Sequence, residues 1–89
     1  MEKTINFSKI QHMDDIYNEL SNQMELPSHF GRNLDALNDV ITGELSMPLT
    51  LNFENLDMDK YEEFMDLIDT LDEIPLELDG FEFNCFFTE

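Results

Sequence analysis

The chain has 89 residues, of which 42% are hydrophobic, and its 21 acidic side chains against four basic ones give a formal net charge of −17. That length supports one small hydrophobic core, so a single domain over residues 1–89 is expected. The charge favours solubility and a basic partner, and it argues against direct binding to nucleic acid or an anionic membrane, whose phosphates it would repel.

Met1-Glu2-Lys3-Thr4 shows no basic run followed by an apolar stretch, so no signal peptide is expected. No apolar run approaches the roughly 20 residues that cross a bilayer. Thr4-Ile5-Asn6-Phe7 alternates polar and apolar and predicts a short strand. From Met13, apolar residues recur at Ile16, Leu20 and Met24, with Tyr17 beside them, which makes one face of a helix. Asp14 and Asp15 fall in its first turn, where the helix dipole favours anions. Pro27 ends it, because the residue before a proline avoids the helical region.

Asn33 is a good N-cap for a second helix, to about Thr42, and Gly43 suits a left-handed position after it. At about 100° per residue, Leu34, Ala36, Leu37, Val40 and Ile41 share one side. Asp35, Asn38, Asp39 and Thr42 share the other. After Pro48, Leu49-Thr50-Leu51-Asn52-Phe53 predicts a second strand. Asp57 or Asp59 then caps a longer helix to Leu71 or Asp72, with a core face of Tyr61, Phe64, Met65, Ile68 and Leu71. Its outer face carries Glu62, Asp66, Asp69 and Glu73. Pro75 and Gly80 bracket a loop, and Phe81–Phe87 is the last strand, with Phe81, Phe83, Cys85 and Phe87 on one side. Helical crossovers between successive strands favour an α/β fold with a small three-stranded parallel sheet flanked by helices.

Enzymatic chemistry is not evident. His12 and His29 lie in no context that suggests a triad. Cys85, the only cysteine, permits no intrachain disulfide, which fits a cytoplasmic protein. Inside a phenylalanine-rich strand it reads as a small core residue. Asp57-Met58-Asp59-Lys60-Tyr61-Glu62 alternates acids as calcium loops do, but lacks the glycine at the sixth position and has Ile68 at the twelfth. No metal, cofactor or phosphate-cradling loop is expected.

Asp35 and Asp39, four residues apart on one helix face, repel each other. A solvated face explains most such pairs. Here the loop Leu26-Pro27-Ser28-His29-Phe30-Gly31-Arg32 precedes them and Glu44 follows, so neighbouring groups could close around a partner. The pattern L-P-x-x-F-G-x-N-L-D-A-L-x-D over Leu26–Asp39 resembles the barstar family, small acidic proteins that plug ribonuclease active sites. The resemblance spans nearly the whole chain in element order. It implies a cytoplasmic, immunity-type inhibitor of a basic, secreted or toxin-like ribonuclease, monomeric when free. It also implies that Asp39 stands in for the substrate phosphate and that Asp35 pairs with an arginine on the base-recognition side. Gly31, Asn33 and Gly43 match positions that contact or shape the family's interface. Three further positions depart from it: His29 replaces a tyrosine, and Asn38 and Glu44 replace two tryptophans. Arg32 stands where barstar is acidic. The family's long-helix interface glutamate falls near Asp69 or Thr70. An acidic DNA mimic, or an interaction module for another basic protein, is the alternative, suggested by the Glu62/Asp66/Asp69/Glu73 row.

Overall fold

A computed structural model describes residues Met1–Thr88. Glu89, the last residue of the expected domain, lies outside the described residues. Three strands, β1 (Glu2–Asn6), β2 (Leu49–Leu56) and β3 (Phe81–Phe87), form one parallel sheet in the order β1-β2-β3. Four α-helices connect them: α1 (Met13–Met24) and α2 (Leu34–Gly43) between β1 and β2, then α3 (Met58–Glu63) and α4 (Met65–Glu73) between β2 and β3. The α/β architecture with a three-stranded parallel sheet is as the sequence predicts.

Alternation divides the sheet. Ile5, Leu51, Phe53 and Phe81 enter the core with α1, α2 and α4. Phe53 packs against Phe7 with the rings tilted and their centroids 4.7 Å apart, and meets Phe83 edge-on at 4.9 Å. The other face carries a polar chain across all three strands: Asn52 donates to Glu2 at 2.7 Å, and Asn84 donates to Asn52 at 3.0 Å. This network satisfies Asn52, the one buried polar residue among those described.

Several boundaries differ from the sequence reading. Phe7 leaves the strand because Asn6 Oδ1 accepts the Ser8 amide and starts a 3-10 turn, yet the Phe7 ring stays buried. β2 continues past Phe53 through an irregularity that includes left-handed Asn55, and this returns Leu56 to the core. The long helix is broken. Asp57 Oδ1 caps α3 by accepting the Lys60 amide at 2.8 Å, and Phe64, at φ −105° and ψ 26°, separates α3 from α4. Leu67 lies in the core beside Ile68 and Leu71, a member of that face the sequence reading omits, while Tyr61 and Met65 are only half-buried. The expected acidic row therefore straddles two helices.

Cys85 is half-buried. Burial, and secondarily the Asp72 carboxylate, pushes its thiol up to about 11. Since the thiolate is the nucleophile, iodoacetamide at pH 7.5 is expected to alkylate the folded protein about a hundredfold more slowly than the unfolded chain. Mass spectrometry over time measures this, and equal rates would contradict it.

Candidate partner-binding face

The loop before α2 is shaped by local sequence. The Phe30 amide bonds back to the Pro27 carbonyl at 3.0 Å. Phe30 then sets its ring edge-on against Tyr17 of α1, with centroids 5.7 Å apart. Gly31 lets the chain lie close to the first turn of α2, because a Cβ there would come within 3.3 Å of the Ala36 Cβ. Asn33, extended at φ −146°, accepts the Ala36 amide at 2.8 Å and donates to the Gly31 carbonyl at 3.3 Å. One side chain thus caps the helix and ties it to the loop.

The amphipathic division of α2 then places its polar residues. Leu37, Val40 and Ile41 are buried, and Leu34 packs partly against the core. Asp35, Asn38 and Asp39 are left exposed. Two hollows flank this ridge. Asp39 lies beside a hollow of about 190 Å³ that is also lined by His29, Phe30, Gly31 and Glu44. Asp35 and Asn38 line a second, of about 230 Å³, with Thr70, Glu73, Ile74 and Glu77. His29 Nε2 approaches Glu44 Oε1 to 3.8 Å, although the histidine side chain is 75% exposed.

Most of the sequence-predicted residues therefore come together, on two sides of one helix. Gly43 does not take the expected role. It is the last helical residue of α2, is not in the left-handed region, and has open space around it. The helix ends instead with Glu44 at φ −124°, whose amide bonds to the Val40 carbonyl. Sequence reasoning missed Glu73 and Glu77 as neighbours of Asp35, because only the packing of α4 beside α2 brings them there. Of the two positions read for the family's long-helix glutamate, Thr70 lines that hollow and Asp69 does not. Asp66 lines a third groove with Arg32 and Asn33.

Cations are kept off the ridge. Lys3 lies on β1, Lys9 in the turn after it, and Lys60 in α3, where it donates to the Phe7 carbonyl. Arg32 is turned to α1. Among the described residues, Asp35 and Asp39 pair with no cation within 4.0 Å. The negative potential of the ridge is thus uncompensated from within.

Fold and face together define a small α/β protein that presents an acidic helix between two hollows. The model of the barstar (barnase inhibitor) family matches residues 1–88, and the chain belongs to that family of ribonuclease inhibitors. It is also similar to a protein of Bacillus subtilis (strain 168) named "Putative ribonuclease inhibitor YrdF", with 36% identity over 47 residues, 53% of this chain and 52% of that relative. The match thus spans about half the length of each. Among the described residues, no helix is long and apolar enough to cross a membrane.

Proposed function

We propose that this protein inhibits a basic ribonuclease, one-to-one, by seating α2 and its preceding loop in the enzyme's active site. Asp39 takes the place of the substrate phosphate, with His29, Gly31 and Glu44 around it. Asp35 and Asn38 meet the base-recognition side. The observation that carries this reading is the exposed Asp35/Asp39 pair, without a cation, on the segment where the family resemblance is sharpest. A ribonuclease gathers cations to hold a phosphodiester. A carboxylate fixed on a helix can occupy that site with little further ordering cost.

The whole chain acts as one domain and a monomer, in the cytoplasm, against a secreted or toxin-like enzyme. A diffuse nucleic-acid mimic is the weaker reading, because the break at Phe64 separates Glu62 from the acids of α4.

Titrating barnase and other basic microbial ribonucleases with the protein, while following RNA cleavage, tests this. Stoichiometric loss of activity is expected for at least one of them. Its association rate should fall steeply between about 0.05 and 0.5 M salt, as the Debye length shrinks. Inhibition of none of the enzymes would overturn the proposal.

A further inference from the structure

Arg32 is one of only four basic residues in a chain of net charge −17, and it stands in the loop that leads into the acidic helix. A cation at that position opposes the negative field the rest of the face builds. The structure gives it other work. Its Nη2 donates to the Asp14 carbonyl at 3.2 Å and to Asn18 Oδ1 at 3.0 Å, and lies 3.6 Å from the Asp14 carboxylate. Its guanidinium also sits over the Tyr17 ring, 5.6 Å from the centroid. Every one of these partners belongs to α1. Tyr17 meets Phe30 as well, so a single aromatic ring on α1 holds the loop at two points.

The backbone at Arg32 is left-handed, at φ 52°. That region is sterically unfavourable for a residue with a Cβ. Glycine would be the ordinary occupant of such a position, and the chain places its glycine one residue earlier. The side chain is the reason for an arginine here. Its planar fork can reach a carbonyl, an amide and an aromatic face together, which lysine cannot do.

We propose that Arg32 is a positioning residue, which pins the Ser28–Asn33 loop to α1 and so holds the N-terminus of α2 and the hollow beside Asp39 in binding shape before a partner arrives. The next residue, Asn33, is the helix cap and is bonded to Gly31, so an anchor at Arg32 fixes both sides of the turn. The importance of this for inhibition rests on the proposed function. Ordering the loop in advance removes a cost that binding would otherwise bear. Global stability gains little, because the Asp14 side chain is 84% exposed and an exposed ion pair contributes weakly.

Amide hydrogen exchange of the free protein, followed by NMR, separates this role from a surface ion pair. In Arg32→Ala, the amides of Phe30 and Ala36, bonded to Pro27 and Asn33, should exchange about ten-fold faster, while those of Ile41 and Leu51 stay unchanged. Arg32→Gly relieves the left-handed backbone yet removes the anchor, and should still speed loop exchange. Arg32→Lys should restore protection only in part. Unchanged loop exchange in both the alanine and glycine variants would overturn the proposal. So would equal acceleration of loop and core amides. These readouts need no partner. Should no ribonuclease be inhibited by the unmodified protein, the proposed function falls while the loop anchor is still decided. Against a ribonuclease that is inhibited, Arg32→Ala should weaken affinity several-fold through the lost loop order, even though removing the cation strengthens long-range attraction.

Discussion

Asp39→Ala is expected to weaken ribonuclease binding more than any other single acidic change. The loss should be on the order of 2–5 kcal/mol, a range for buried charge pairs to which the barnase–barstar complex itself contributes. In dissociation constant that is about 30-fold to several-thousand-fold. Asp35→Ala should come second. Neither change should harm folding by more than about 0.5 kcal/mol, because both side chains lie in solvent opposite Leu37 and Ile41. Losing Asp39 also relieves its i,i+4 repulsion with Asp35. Asp69→Ala should act mainly on association rate, as a peripheral charge does. Asp66→Ala should do the same with a somewhat larger effect, since Asp66 lines the groove beside Asn33. Dissociation rates and melting temperatures of the four variants decide the matter. Equal, modest losses at all four would contradict a focused plug and favour a spread of small contacts.

The features legible in the sequence are those that depend on neighbours along the chain. The division of α2 into a buried and an exposed side follows from its period, and the Asn33 cap from residue chemistry at a helix start. The same applies to the alternation of β2 through Phe53. Features that depend on elements meeting in space were not legible. The break at Phe64 leaves no mark in the pattern, since Phe64, Ile68 and Leu71 fit an unbroken helix equally well. Leu67, three residues after Phe64 and four before Leu71, belongs to the same buried face and is 1% exposed, although the sequence reading omits it. Thr70, Glu73 and Glu77 become neighbours of Asp35 only through the packing of α4 beside α2. Arg32 and Asn18 lie 14 positions apart, and no spacing rule joins a loop arginine to a helix across that distance. Gly43 misled for a local reason. A glycine just beyond an apolar period is the usual left-handed terminator, but here the helix runs one residue further and closes through Glu44.

Barnase should bind this protein at least about a thousandfold more weakly than it binds barstar. The chain keeps the central aspartates but changes what flanks them. By the resemblance drawn from the sequence, His29 and Glu44 fall where barstar carries a tyrosine and a tryptophan. They meet at 3.8 Å on the rim of the hollow beside Asp39, largely in solvent. Asn38 stands where barstar carries its other tryptophan, and it lines the opposite hollow with Glu73 and Glu77. Apolar anchors are therefore lost on both sides of the ridge, and polar or acidic groups replace them. Anchor residues contribute about 2 kcal/mol or more each, on a scale for which the barnase–barstar interface is itself a reference case. Any two of the three lost anchors already amount to about 4 kcal/mol, or roughly three orders of magnitude. The enzyme that fits this face should instead carry polar or basic groups around its phosphate site. Calorimetry with barnase gives the direct measure, alongside a variant combining His29→Tyr, Asn38→Trp and Glu44→Trp. That variant should recover about a hundredfold or more in affinity. If the unmodified protein already binds barnase as tightly as barstar does, these three positions do not set the choice of enzyme, and the acidic helix alone is sufficient.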